Sequence, residues 1–116
     1  MYDFDIIIIG AGAAGLFAGA NFSTLHSKKT KILILEKNQS AGRKILLAGG
    51  GRCNFAHSGT IDKIIKQYYS FSLNPNRLTK LLKQLFFHFS NLDLIDWFKN
   101  YGIEIIIEDE RCYPKS

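Results

Sequence analysis

Cysteine, proline, methionine and tryptophan are scarce in this 116-residue chain, with two, two, one and one copies. Cys53 and Cys112 form no CxxC pair and have no metal-ligand spacing, so neither a disulfide framework nor a zinc site organises the fold. With no secretory signature, the expected state is a pair of reduced thiols in a cytoplasmic protein. His26, His57 and His88 are scattered and read as ordinary surface or core histidines. Pro75 and Pro114 leave no proline-rich linker, and there is no internal repeat or low-complexity segment.

A long hydrophobic run is also lacking. The most apolar stretch, IIIIGAGAAGLFAGA over residues 6–20, falls short of the roughly 18–20 residues a spanning helix needs. Four glycines interrupt it, and the preceding MYDFD carries two acids and no base, the wrong charge for a signal-peptide start. A membrane segment is therefore not expected.

The basic excess is modest. Net charge is +5 and is spread along the chain, with Lys28-Lys29 and Arg43-Lys44 as its basic doublets. A nucleic-acid binder concentrates basic residues on one element or face, so the distribution points to a small anionic ligand and away from nucleic acid.

What is present is the material of one soluble α/β domain. Hydrophobic residues make up 47% and charged residues 22%. Phe4 to Ile9 is a β-branched run suited to a strand buried on both faces of a parallel sheet. Gly10 ends it. Leu16, Phe17 and Ala20 then share one helical face, predicting a helix from Ala13 to about His26. Ser27 to Thr30 reads as a polar turn, and Ile32 to Leu35 as a second strand ending at Glu36. Strand, helix and strand in this length make a right-handed βαβ unit.

Lys37 to Gly59 reads as a long irregular, glycine-rich segment of the kind that carries function. Thr60 caps a predicted helix bearing Ile61, Ile64, Ile65 and Tyr68. Asn74-Pro75 starts another, with Leu78, Leu81, Leu82, Leu85, Phe86 and Phe89 as its core stripe. Ser90 or Asn91 caps a third, with Leu94, Ile95, Trp97 and Phe98, and Gly102 stops it. Ile103 to Ile107 reads as a strand, and the remainder as a tail. The expected fold is a Rossmann-like βαβ dinucleotide-binding domain, incomplete, followed by helices and a short strand.

Gly10-Ala11-Gly12-Ala13-Ala14-Gly15 fits G-x-G-x-x-G in the context that gives it meaning: after a strand, opening a helix, with an acid ending the next strand. Gly10 permits the turn. Gly12 lets a pyrophosphate approach the backbone, and Gly15 lets the helix pack on the sheet. The free N–H groups of the first helical turn stabilise the phosphate charge. Glu36 stands where its carboxylate can accept hydrogen bonds from both ribose hydroxyls of an adenosine, and it would repel a 2′-phosphate. The motif alone leaves FAD, NAD and S-adenosylmethionine open.

A second loop, GRKILLAGGGRCNF over residues 42–55, is more specific. Its three consecutive glycines let backbone pass close to a flat ligand. Arg43, Lys44 and Arg52 carry charge for phosphates, and Asn54 offers donors and an acceptor to a polar ring edge.

On IIGAGAAGL, LEKN (35–38), GRKILLAGGGRCNF and the spaced set Trp97, Phe98, Gly102, Glu104, Glu108, Arg111 and Pro114, the chain resembles the YhiN-like (BaiN/RdsA-type) flavoproteins, a family of NAD(P)/FAD-dependent oxidoreductases. The resemblance runs over essentially the whole chain. It implies non-covalent FAD, with NAD(P)H as a candidate electron donor. By resemblance, Gly10, Gly12, Ala13, Ala14 and Gly15 hold the pyrophosphate and Glu36 the ribose. Lys37, Lys44 and the loop Gly49, Gly50, Gly51, Arg52, Cys53, Asn54 line the cofactor toward the flavin. Cys53 is given a packing or backbone role and no redox role.

Two departures stand out. The family continues RCN with a hydrophobic residue, Thr and Asn, where this chain has Phe55, Ala56 and His57. It also carries a GRVFP-like stretch where this chain has Glu110, Arg111, Cys112, Tyr113 and Pro114, so a glycine is replaced by Glu110. Family members are several times longer, so residues 1–116 are expected to be the N-terminal part of the FAD/NAD(P)-binding domain. The expected partner, besides FAD and an unidentified small substrate, is the remainder of the flavoprotein. No catalytic acid, base or nucleophile is identified.

Overall fold

The computed structural model describes residues 3–25 and 30–115. The predicted end of the first helix at His26, most of the Ser27–Thr30 turn and the Lys28-Lys29 doublet lie outside them. The chain divides into two compact units, residues 1–51 and 52–116.

In the first unit, strand β1 (Ile6–Ile9) leads into helix α1 (Ala13–Leu25), and strand β2 (Ile32–Leu35) follows. β1 and β2 pair in parallel with Ile6 opposite Ile32 and Ile9 opposite Leu35, and α1 packs on both strands. The mixed α/β content and the parallel pair joined through α1 are those of a Rossmann βαβ unit. Burial of β1 on both faces does not hold. Ile6 and Ile8 are half-buried, but Ile7 and Ile9 are exposed, Ile9 by 87%. Side chains alternate across a strand, and α1 covers one face only; no other described element of this unit covers the second.

The segment from Lys37 is less irregular than its glycines suggest. Arg43–Leu47 forms a one-turn helix, α2, entered through Gly42 in the left-handed region at φ 68°. Arg, Lys and Leu are good helix formers and bridge two glycine breaks.

The second unit opens with a short strand, β3 (Ala56–His57), followed by helices α3 (Ile61–Ile65), α4 (Pro75–His88) and α5 (Asn91–Asn100). Each helix start has the chemistry read from sequence. Lys63 N–H donates to the Thr60 hydroxyl, and Asn76 N–H donates to the Asn74 side-chain oxygen with Pro75 beginning the helix. Of the two candidates for α5, Ser90 is the cap: its hydroxyl accepts from Asp93 N–H at 3.2 Å while the Asp93 carboxylate accepts from Ser90 N–H at 2.7 Å. The Ser90 hydroxyl, donating to the same carboxylate at 2.7 Å, and then the Ser90 N–H hold the Asp93 carboxyl below its ordinary range.

The predicted tail is instead a strand. β4 (Ile105–Glu108) and β5 (Arg111–Pro114) form an antiparallel hairpin, and β3 pairs with the other edge of β5, in the order β3-β5-β4. β5 is the most buried strand of the unit: Cys112 is fully buried and Tyr113 nearly so. The hairpin turns on Asp109 and Glu110, both left-handed, at φ 48° and 63°. No Asn-Gly or Asp-Gly marks that turn, so the sequence does not announce it.

The core of this unit gathers Ile65 of α3, Leu82 of α4, Ile95 of α5, Cys112 and Tyr113. The α4 stripe is only partly core. Leu82 is buried, but Leu81 and Leu85 on its flank are exposed.

Candidate functional site

The glycine turn is held by two backbone hydrogen bonds and one side-chain carboxylate. Gly10 N–H donates to Leu35 carbonyl at 2.7 Å, carrying the β1–β2 ladder one residue into the turn. Gly42 N–H donates to the Ala11 carbonyl at 2.7 Å, which fixes the loop entering α2 against the turn. Ala11 N–H donates to the Glu36 carboxylate at 2.8 Å.

Two glycines of the motif have opposite surroundings. A Cβ on Gly15 would overlap the Gly10 carbonyl oxygen and press on the Ile8 side chain. Only a residue without a side chain lets α1 approach the end of β1 this closely. A Cβ on Gly12 would meet nothing within 4 Å. Gly12, Ala13 and Ala14 are exposed, and no acid stands in the first turn of α1. The orphan N–H groups of that turn face open space, with no side chain to fill it. One turn on, the buried Gly19 brings α1 within reach of Ile34 and Ile8.

Glu36 is gripped from several directions. Asn38 supplies its backbone N–H at 2.9 Å and its side-chain amide at 2.6 Å to one oxygen, and Ala11 N–H holds the other. The Asn38 backbone bond first, then that of Ala11, hold the carboxyl below the ordinary glutamate range. Ala11 and Asn38 are not among the site residues predicted from sequence. An Asn two positions after a strand-end acid is the available signal for Asn38; Ala11 acts through backbone alone and leaves none.

These residues fit the adenosine diphosphate half of a dinucleotide. An open, acid-free helix N-terminus lies against a glycine with free space above it, and an ionised carboxylate is fixed at the end of the neighbouring strand. Lys37 and Lys44 are exposed in the same unit, Lys44 on α2. Gly49, Gly50 and Gly51 are exposed and take three successive left-handed conformations, at φ 61°, 69° and 89°. Glycine takes such a run at no steric cost, whereas each residue with a Cβ would enter it at a penalty.

The remaining predicted residues, Arg52, Cys53 and Asn54, begin the second unit. The Arg52 guanidinium donates to the Glu108 carboxylate at 2.7 Å and lies 4.0 Å from the centre of the Tyr113 ring, so its charge is already paired and stacked. The Asn54 amide nitrogen, oriented as hydrogen bonding requires, donates to the carbonyls of Ala56 (3.0 Å) and Cys112 (3.3 Å). It ties the entry of β3 to β5. Cys53 is half-buried with φ 59°, and burial pushes its thiol pKa up, so it is a neutral thiol. The Glu110 position is left-handed, the conformation a glycine takes, and its carboxylate pairs with Lys63 at 2.9 Å. The same unit holds a cleft of about 910 Å³ bordered by Phe55, His57, Lys63, Phe86 and Arg111. Those residues come from distant parts of the sequence, and no motif marks them. Among the described residues no cluster of His, Cys, Asp and Glu is placed to hold a metal, and no helix is long and apolar enough to cross a membrane.

The model of the HI0933-like protein Rossmann domain matches residues 4–116, nearly the whole chain. The chain belongs to the HI0933-like Rossmann domain family. Its relatives include the ribosomal RNA dihydrouridine synthases of Escherichia coli (strain K12), 36% identical over 103 residues, and of Haemophilus influenzae, 36% identical over 97. These alignments cover 89% and 84% of this chain but 23% and 21% of the relatives. The 3-dehydro-bile acid delta(4,6)-reductase of Clostridium scindens is 29% identical over 109 residues, 94% of this chain and 24% of its own. The chain thus spans less than a quarter of the length of these curated relatives. What the family shares across them is a Rossmann nucleotide-binding segment of flavoprotein-like oxidoreductases.

Proposed function

We infer that residues 1–116 form the FAD-binding segment of a flavin-dependent oxidoreductase. In this reading the α1 N-terminus and the Gly10–Gly15 turn hold the pyrophosphate, Glu36 the adenosine ribose, and Lys37, Lys44 and the Gly49–Gly51 run the approach to the flavin. The observation that carries it is the contrast at the turn: Gly15 closed by backbone, Gly12 open, beside a carboxylate fixed at the end of β2. When bound, the flavin supplies the hydride or electron transfer, and the chain's part is to hold and orient it. NAD(P)H is the proposed electron donor. Relatives named as a reductase and as dihydrouridine synthases support reduction of a substrate as the reaction class.

The test is retention of flavin. The chain, expressed with added FAD and desalted, is expected to keep a flavin absorption spectrum, and Gly12→Val is expected to abolish it. A colourless wild-type chain that binds NAD or S-adenosylmethionine instead transfers the site to one of those ligands. A chain that is folded and binds none of the three supports a non-catalytic remnant.

A further inference from the structure

We propose that two side chains, Glu36 and Asn38, share the adenosine ribose, one hydroxyl each; this rests on the dinucleotide site proposed at the Gly10–Gly15 turn. A carboxylate has two oxygens and about four acceptor positions in its plane. At Glu36 the chain's own N–H groups take most of them. Asn38 occupies one oxygen twice, with its backbone N–H at 2.9 Å and its side-chain amide at 2.6 Å. Ala11 N–H occupies the other oxygen at 2.8 Å. The Lys37 backbone N–H adds a weaker pull on the same carboxylate. At most one position therefore stays open, on the oxygen that faces Ala11. A ribose brings two hydroxyls side by side. Glu36 alone cannot accept both, although its place after β2 suggests that it does.

Asn38 has the groups to take the second hydroxyl. An ionised carboxylate only accepts, so the amide nitrogen of Asn38 faces Glu36 and the amide oxygen points elsewhere. That oxygen accepts no hydrogen bond among the described residues, and the second N–H of the amide donates none. Asn38 is exposed, so both groups are open to a ligand. A hydroxyl both donates and accepts, and an amide offers it either partner. Holding Glu36 in place does not by itself call for this side chain. The backbone N–H groups of Ala11 and Asn38 already grip one carboxylate oxygen each. What the Asn38 side chain adds is a polar edge beside the one acceptor position that Glu36 keeps. The two hydroxyls are then read unequally. One meets a charge and the other a neutral amide, and hydrogen bonds to charged groups are the stronger kind.

The test is calorimetric titration of the full chain with ADP, 2′-deoxy-ADP and 3′-deoxy-ADP. Both analogues should bind the parent more weakly than ADP, and by different factors. Loss of the hydroxyl on Glu36 should weaken binding about 12- to 150-fold, and loss of the one on Asn38 about 2- to 12-fold. Asn38→Leu keeps the branched shape and removes the polar atoms. It should weaken ADP by the smaller factor, bring the smaller penalty to within about twofold of none, and leave the larger one intact. A residue that only orients Glu36 would shift both penalties together. A second readout is the side-chain amide signal of Asn38 in the proton–nitrogen spectrum. It should move with ADP and with one deoxy analogue but not with the other. The proposal is overturned if the parent shows equal penalties, if Asn38→Leu shifts both or leaves the smaller one in place, or if Asn38→Leu tightens ADP, since the amide then only blocks the carboxylate. Failure of the parent to bind ADP removes the dinucleotide site and this proposal with it; binding with equal penalties removes the division of the ribose alone. Should Asn38→Leu aggregate, Asn38→Ala is scored on whether the smaller penalty changes while the larger stays.

Discussion

At the scale of single residues, the two motif glycines make separable predictions. Gly15→Ala drives a methyl into the Gly10 carbonyl, backbone that cannot swing aside, and overpacking of this kind costs about 1–3 kcal/mol or more. It is expected to loosen the first unit, seen as faster proteolysis within residues 3–51. Gly12→Ala adds its methyl to open space at a position with ordinary φ, so stability should change by no more than about 0.5 kcal/mol. It obstructs the proposed phosphate approach instead, and ADP affinity should fall about 10- to 100-fold, the worth of one charge-assisted hydrogen bond. Calorimetric titration with ADP separates the two; equal effects of both variants on folding would refute the division. Glu36 gives a pH prediction. Its folded-state pKa lies below its unfolded value because N–H groups of Asn38 and Ala11 favour the ionised form. The stability it contributes is therefore full above the ordinary glutamate range, near pH 4.3, and is lost as pH falls through the depressed folded value. Glu36→Gln should lower the melting temperature at pH 7, with the gap narrowing as the pH falls below the ordinary glutamate range; a gap constant with pH would show that the carboxylate's charge is irrelevant.

At the scale of elements, the β4–β5 turn is where sequence and backbone disagree most. Asp109 and Glu110 both sit in the left-handed region, which L-residues with a Cβ occupy at a cost. A glycine at Glu110, as the family resemblance implies, would take this conformation without that cost. Glu110→Gly removes that cost and loses an exposed pair with Lys63, worth little. The unfolding transition reported by the lone tryptophan, Trp97, should rise by a few degrees; a fall would mean that the Lys63 pair outweighs the backbone cost. The same turn explains what was legible in the sequence and what was not. β2, the start of α1, and the caps at Thr60, Asn74 and Ser90 follow from local chemistry: β-branched runs, glycine breaks and side chains that satisfy helical N–H groups. β5 is four residues long and is specified by what it touches, with Cys112 and Tyr113 buried between two neighbours and Asn54 tied to its backbone. α2 is hidden for a related reason, since one helical turn between Gly42 and Gly49 is too short to show a period. The Glu36 grip was half legible: the acid follows from its place after β2, but the Ala11 N–H that meets it is a product of the turn.

At the scale of the whole molecule, the unsatisfied feature is the open side of the β1–β2 pair. Ile7, Ile9 and Leu35 are exposed, and two-stranded sheets are marginal in water. A flat apolar strand face with free edges is a template for association, and native proteins cover or charge such surfaces. The sequence of β1, four isoleucines in succession, is that of a strand covered on both sides, whereas the βαβ unit described here covers one. The chain's own residues therefore carry more apolar surface than its first unit hides. Ile9 offers a clean test, because at 87% exposure its side chain contributes almost nothing to packing. Ile9→Glu should leave circular dichroism and the melting temperature nearly unchanged while raising the protein concentration at which light scattering still reports a monodisperse species. Glu stands at a strand end here, at the turn with Gly10, where β-propensity matters least. Ile8→Glu is the internal control: Ile8 faces α1 and would meet a Cβ on Gly15, so its replacement should unfold the unit. If Ile9→Glu instead unfolds the unit as Ile8→Glu does, then Ile9 is covered in solution and the open face is occupied by another chain.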